Sequence, residues 1–214
     1  MINPTVHVRR IRLGPDPLVF YPRDVARRTF TVALAANAIP EKGTTQALEI
    51  ALLLRERGFH LTVFGWDTQQ FLIDPAVGDI LHDTSREALA HLFSHTEFII
   101  DQSYLEGLGL LPLEAAFCGC IPLLGSRGGS EYIFQDGKNS ITINGYKNLT
   151  KSLDRVQALT PDEKIRLSMN AMTLRSELNL EIGLSDAIKQ FSDISGFQGR
   201  PDTSSLAAYA LKST

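Results

Sequence analysis

Apolar residues along most of the chain fall into short continuous runs separated by segments with helical periodicity. The runs have the length of strands buried on both faces, and the segments between them repeat apolar residues every three or four positions. The predicted strands are residues 30–36, 59–64, 77–81, 98–100, 121–124 and 140–143, and the predicted helices between them are 44–57, 85–94, 110–117 and 130–134. This alternation predicts an α/β fold, a doubly wound, Rossmann-like parallel sheet with helices on both faces.

Helical segments close the pattern at the C-terminal end. Periodicity predicts helices over 149–158, 161–178 and 185–192, and the second has a typical start in Thr160, Pro161 and Glu163. Residues 196–214 are mostly polar and are predicted to be a tail. The expected organisation is therefore a linker-like segment over 1–26, a domain over 27–195 and the tail.

The composition is that of an ordinary globular protein. Of the 214 residues, 43% are hydrophobic and 21% are charged, and the net charge of −3 gives no reason to expect nucleic-acid binding. The longest uncharged apolar stretch, 115–126, is too short to span a bilayer, so no transmembrane segment is expected. With no secretion signal pattern and only two cysteines, Cys118 and Cys120, the sequence favours a cytoplasmic location.

The densest concentration of candidate functional residues follows the fourth predicted strand. Glu106 lies in the loop and Glu114 lies in the next helix among apolar neighbours, where a buried carboxylate is costly unless it binds something polar. Gly107 and Gly109 allow close backbone approach to a ligand, and the free N–H groups of the helix start suit phosphate or sugar oxygens. The alternative for Glu114 is an acid on the exposed helix face.

Other nucleotide and metal motifs are weak. Gly107 and Gly109 supply the first two glycines of a dinucleotide fingerprint, but the third position is Pro112 and the strand is a late one. No glycine-rich P-loop precedes Lys42. His91 and His95 have metal-ligand spacing without an apparent third ligand, so we predict no metal site.

Two segments resemble a known family. The sequences SYLEGLGLLPLEAAFCG (103–119) and GGSEYIFQDGKN (128–139) resemble the C-terminal, nucleotide-sugar-binding half of the retaining group 1 glycosyltransferases, which have the GT-B architecture. Upstream, IPEKG (39–43) resembles the family's Pro-Glu-Lys-Gly loop, and LGPDPLVFYP (13–22) resembles the linker between its two Rossmann domains. The resemblance covers about residues 7–145.

The resemblance assigns roles to individual residues. Lys42 corresponds to the lysine that holds the donor diphosphate, Glu106 to the acid that contacts donor-sugar hydroxyls, and Glu114 to the acid that binds the nucleotide ribose. Lys42 and Glu106 are the implied catalytic residues. The N–H groups of four consecutive residues would meet sugar or phosphate oxygens, namely Gly107, Leu108, Gly109 and Leu110.

One position departs from the family pattern. The family usually has an arginine five residues before the lysine, and this sequence has Asn37. Either another base, such as Arg127 or Arg23, substitutes for that cation, or activity is reduced.

The resemblance implies the donor-binding domain of a retaining hexosyltransferase. Its donor substrate would be a nucleotide diphosphate sugar, its acceptor a hydroxyl group in glycan biosynthesis, and no cofactor would be needed. The acceptor-binding N-terminal domain has no counterpart in the sequence, so the expected partner is such a domain in the same or another chain. The alternative is a non-catalytic module of this fold that binds a nucleotide or a protein.

Overall fold

Among the residues that the structure describes, six parallel strands form one sheet in the order β3-β2-β1-β4-β5-β6. The structure is a computed structural model that describes residues 13–65, 68, 78–82, 84–125, 129–143 and 145–195. The strands are β1 (Thr31–Ala35), β2 (His60–Phe64), β3 (Asp79–Leu81), β4 (Phe98–Asp101), β5 (Ile121–Gly125) and β6 (Ile141–Ile143). This order is that of a Rossmann-like sheet, which confirms the predicted fold class.

Six α-helices accompany the sheet in the described part of the chain. They are α1 (Thr44–Glu56), α2 (Arg86–His95), α3 (Leu110–Phe117), α4 (Gly145–Gln157), α5 (Pro161–Met172) and α6 (Leu180–Ser195). Short 3₁₀ turns lie at Pro40–Lys42, Gly129–Tyr132 and Thr173–Ser176. None of the helices in these described ranges is long and apolar enough to cross a membrane.

The helix boundaries differ from the prediction near the C-terminal end. The helix predicted over 161–178 ends at Met172 and tightens into a 3₁₀ turn, where the Thr173 hydroxyl donates to the carbonyl of Asn170 at 2.7 Å. Helix α6 starts earlier than the predicted 185, because the Asn179 side chain accepts the N–H of Ile182 at 2.9 Å and caps the first turn. Helix α4 also starts earlier than predicted, at Gly145.

The two faces of the sheet have separate apolar cores. Val32 and Leu34 of β1 pack on the side of α1 and α4, whereas Ala33 packs on the side of α2 and α3. All three side chains are fully buried, as expected for a central strand covered on both faces. The apolar runs in the sequence are continuous because helices cover both faces of the sheet.

Part of the predicted linker packs against the domain. Phe20 is fully buried in the α2–α3 core, and the carbonyls of Pro15 and Pro17 accept hydrogen bonds from Leu180 and Arg175. The rest of the predicted linker, 1–12, and the predicted tail lie outside the described residues. The domain boundaries at 26 and 195 stay predictions.

A buried acid joins the amino ends of β1 and β4. Glu97 accepts the N–H of Phe30 at 2.8 Å and pairs with Lys164 at 2.9 Å, and its own N–H donates to the Thr31 hydroxyl. The side chains of Glu97 and Lys164 are only 5% and 14% exposed. These bonds hold together the two strands whose opposite ends carry the cavity described next.

Candidate functional site

A cavity opens where the strand order reverses, at the carboxyl ends of β1 and β4. Its volume is about 330 Å³. In open α/β sheets this reversal point is where ligands bind, because the loops that leave the two strands diverge there. The lining residues are Ala35, Asn37, Lys42, Ala47, Ile100, Asp101, Gln102, Ser103, Glu106, Leu110, Leu111 and Glu114.

The loop from β1 to α1 forms the first wall of the cavity. Asn37 shapes it: the Thr44 hydroxyl donates to the Asn37 carbonyl at 2.7 Å, and the Asn37 side-chain oxygen accepts the N–H of Ile39 at 2.9 Å. The 3₁₀ turn Pro40–Lys42 follows and ends at Gly43. Asn37 therefore lies at the cavity, as the resemblance implies, but it contributes loop structure and no positive charge.

The β1–α1 loop and the loop after β4 contact each other through their backbones. The N–H of Tyr104 donates to the carbonyl of Glu41 at 3.0 Å. Gly43 has a φ of +62°, and a Cβ atom there would lie 2.2 Å from the carbonyl oxygen of Gln102. Only glycine satisfies both this conformation and this approach, so Gly43 sets the distance between the two walls.

We expect Gly43→Ala to destabilise the domain by at least about 2 kcal/mol, because the left-handed conformation and the collision with Gln102 act together. For a chain of this size the melting temperature should fall by about 4–8 °C, measured by circular dichroism. Gly107→Ala is the matched control, since a Cβ atom at Gly107 meets nothing within 4 Å. Equal melting temperatures for the two variants would contradict this account of Gly43.

An ion pair spans the two walls. Nζ of Lys42 lies 2.5 Å from Oε2 of Glu106, and the side chains are 39% and 21% exposed. The two residues are predicted site residues from different loops, and β1–β4 pairing brings them together. Lys42 is the only cation among the described residues that line the cavity.

Glu114 lies on α3 and lines the cavity. Burial raises the pKa of its carboxyl to about 7, against a smaller opposing effect of the positive charge of Arg86. Among the described residues, no donor forms a hydrogen bond with the Glu114 carboxylate. The side chain is therefore partly desolvated, lines the cavity and keeps its hydrogen-bonding capacity for a ligand.

Asp101 is a lining residue that the sequence analysis missed. It ends β4, and burial raises the pKa of its carboxyl although the N–H of Ser103 donates to it at 2.8 Å. The available signal was an acid directly after a buried strand, at the edge of the sheet where sites form. With Glu106 and Glu114, it gives the described lining of the cavity three carboxylates.

The first turn of α3 borders the same cavity. Gly109 is buried, has a φ of +75° and precedes the first helical residue, Leu110, which lines the cavity. Leu113 is the first residue whose N–H bonds back along the helix, to Gly109, so the N–H groups of Leu110 and Leu111 have no intrahelical acceptor. Leu108 packs partly into the core and Gly107 is exposed.

Of the two bases predicted to substitute for the missing arginine, Arg23 is described and does not line the cavity. Arg127 lies outside the described residues, and Arg23 donates to the Tyr21 hydroxyl at 3.1 Å, away from the lining residues.

His91 and His95 lie on α2 beside a different groove, with their rings 4.2 Å apart. Within the described ranges, no group of three or more potential ligands can hold a metal ion.

Residues 26–173 match the family model described as Glycosyl transferases group 1. Since the match covers more than half of the sequence, the chain belongs to this family.

Individual relatives agree with this classification. The MMP alpha-(1->4)-mannosyltransferase of Mycolicibacterium hassiacum is 30% identical over an alignment of 173 residues, which covers 75% of this chain and 42% of that protein. The C-terminal domain of a group 1 glycosyl transferase (LpcC) from Francisella tularensis has a TM-score of 0.61 at 18% identity, covering 77% of this chain and 97% of that one. Anabaena HepE, solved in complex with UDP-glucose, has a TM-score of 0.65 at 12% identity, covering 84% and 56%. The chain thus spans less than half the length of the mannosyltransferase.

Proposed function

We propose that this chain is the donor-binding domain of a retaining glycosyltransferase that transfers a hexosyl group from a nucleotide diphosphate sugar to an acceptor hydroxyl. The observation that carries the proposal is the convergence of Lys42, Glu106 and Glu114 on one cavity at the reversal point of the sheet. The solved complex of Anabaena HepE with UDP-glucose supports a nucleotide sugar as the ligand class.

Each residue has a role that its chemistry suits. The Lys42 ammonium, a compact charge, would bind the diphosphate, and the Glu106 carboxylate would accept hydrogen bonds from the hydroxyls of the donor sugar. Glu114 would accept from the ribose hydroxyls. The free N–H groups at the start of α3 would meet sugar or phosphate oxygens, where the helix dipole also favours negative charge.

The reaction asks mainly for positioning and charge stabilisation. The bond between the anomeric carbon and the diphosphate oxygen breaks. The acceptor oxygen bonds to that carbon with retained configuration, and its proton passes to the departing diphosphate. Negative charge then grows on the diphosphate, where Lys42 and the α3 terminus would stabilise it. We expect no cofactor or metal. The acceptor would be held by an N-terminal domain in the same or another chain, in the cytoplasm.

A non-catalytic binding module is the second candidate. The observation in its favour is Asn37, which stands where the family usually has an arginine. Its side-chain oxygen accepts the N–H of Ile39. Lys42 is then the only cation that the described part of the cavity offers to a diphosphate. Such a module would bind the nucleotide without turnover.

Titration calorimetry of the chain separates binding from its absence. We expect one of UDP, GDP and ADP, and the corresponding glucose derivative, to bind with measurable heat, and the other bases to bind more weakly. Adding an acceptor-binding domain and an acceptor sugar should then yield product, detected by mass spectrometry. Binding without any transfer would favour the non-catalytic module, and no binding by any of these nucleotides would contradict both candidates that use a nucleotide.

A further inference from the structure

The cation that the cavity offers to an anionic ligand is already paired. Nζ of Lys42 is 2.5 Å from the Glu106 carboxylate, and the Glu106 side chain is only 21% exposed. Carboxylate and phosphate oxygens are equivalent acceptors for an ammonium group. A diphosphate that takes the ammonium contact now made by Glu106 displaces a carboxylate, whereas at a free lysine it would displace only water.

The contacts between the two loops hold this pair in place. The bond from Tyr104 to the Glu41 carbonyl and the close packing of Gly43 on Gln102 fix the backbone on both sides of the ion pair. Exposed ion pairs are weak largely because two long side chains lose freedom when they meet. Here the backbone separation is set independently of the pair, so the pair bears only this side-chain cost and no added cost of ordering the backbone.

Displacing Glu106 has a consequence that depends on the ligand. The cavity is lined by three carboxylates, Asp101, Glu106 and Glu114, against the single cation Lys42 in the described lining. A bare nucleoside diphosphate that takes Lys42 leaves the Glu106 carboxylate without its partner and close to new negative charge. A donor sugar brings hydroxyl groups that can donate to the displaced carboxylate, which compensates for the broken ion pair.

We propose that Glu106 is an internal counter-ion of Lys42 that makes the site prefer the sugar nucleotide over the bare nucleoside diphosphate. The inference rests on the proposed function and extends it from binding to selection between substrate and product. After transfer, the sugar hydroxyls leave, Glu106 returns to Lys42, and the nucleoside diphosphate loses its main cationic contact. Glu106 thereby promotes product release.

The test is calorimetry of the full chain with UDP, GDP and ADP and with the glucose derivative of each. Glu106→Gln should bind the nucleoside diphosphate about fivefold more tightly or better, since Lys42 is then free. The sugar nucleotide should bind no more tightly than to the unmodified chain. The preference for the sugar nucleotide should therefore fall about fivefold or more, with an unchanged melting temperature as the folding control.

Two further variants separate competition for Lys42 from general repulsion. Glu41→Gln removes one negative charge from the loop that carries Lys42, and the Glu41 side chain forms no ion pair with the described residues. It should leave the preference unchanged. In a Lys42→Met background, the gain from Glu106→Gln should disappear.

A gain that persists with Lys42→Met, or an equal gain from Glu41→Gln, would overturn the inference in favour of simple repulsion. Nucleotide binding without any gain from Glu106→Gln would overturn the inference and leave the proposed function standing. No nucleotide binding by the unmodified chain would overturn both.

Discussion

Lys42→Met should lower the affinity for the nucleoside diphosphate by roughly 10- to 150-fold while leaving the affinity for the bare nucleoside unchanged. The expected loss corresponds to one charge-assisted hydrogen bond, worth about 1.5–3 kcal/mol. The contrast between the two ligands arises because Lys42 is the only cation in the described lining and would contact the diphosphate alone. Calorimetry with the nucleotide and nucleoside of the base that binds measures both affinities.

Lys151→Met is the matched control for Lys42→Met. Lys151 is an exposed residue of α4 that does not line the cavity, and the substitution changes the net charge by the same amount. Equal losses from the two lysine variants would assign the effect to the overall charge. A loss of nucleoside affinity in Lys42→Met would instead indicate a disturbed cavity.

Glu114→Gln should lower sugar-nucleotide affinity about 10- to 150-fold at pH 8 and remove its pH dependence between pH 6 and 8. Burial raises the pKa of the unliganded carboxyl to about 7, and only the ionised form accepts both ribose hydroxyls. In the unmodified chain, affinity should therefore rise with pH up to about 7 and level off above it. The sugar nucleotide is the ligand to use, because its diphosphate diester does not titrate in this range.

The same group gives an independent stability readout. The carboxyl has an ordinary pKa of 4.5, so the unfolded chain ionises first and the folded chain ionises only near pH 7. The folded chain favours the neutral carboxyl more than the unfolded chain does. The free energy of unfolding should therefore fall by on the order of 3 kcal/mol as the pH rises from about 4.5 to about 7. The melting temperature of Glu114→Gln should be close to that of the unmodified chain at pH 5 and higher than that of the unmodified chain at pH 7.5. Asp101 is present in both proteins and cancels in this comparison.

An opposite result for Glu114→Gln has a clear meaning. If the variant melts lower at every pH and keeps its sugar-nucleotide affinity, the carboxylate stabilises the fold and the role in ribose binding is wrong. The glycosyltransferase proposal would then depend on Lys42 and Glu106.

The sequence was sufficient for the fold class because its strongest signal has a direct structural cause. Strands buried on both faces need continuous apolar runs, and β1, β4 and β5 have them. Helix ends were harder to predict. The start of α6 depends on the Asn179 side chain, and the 3₁₀ turn after α5 depends on hydroxyl groups, whereas periodicity reports only apolar positions.

The sequence pointed to several residues that line the cavity, but it missed Asp101 and gave no arrangement. Glu106 and Glu114 attract attention as acids in apolar surroundings, and Lys42 was identified through the resemblance. The ion pair between Lys42 and Glu106 was not predictable, because it requires the register of β1 against β4. The sequence showed that Asn37 stands where the family usually has an arginine. The hydrogen bonds of Asn37 within the loop are visible only in the three-dimensional structure.

The reversal of strand order between β1 and β4 makes the cavity a non-local feature of the folding reaction. On one side, Val32 pairs with Leu61 of β2. On the other side, it pairs with Phe98 of β4, which lies 66 residues further along the chain. Pairing of β1 with β4 closes the longer loop and therefore has the larger entropy cost. Contacts of this kind slow folding and are expected to form late. A nascent or partly folded chain that has only β1, β2 and β3 therefore contains Lys42 but no second wall, and it gains a ligand site only when β4 docks.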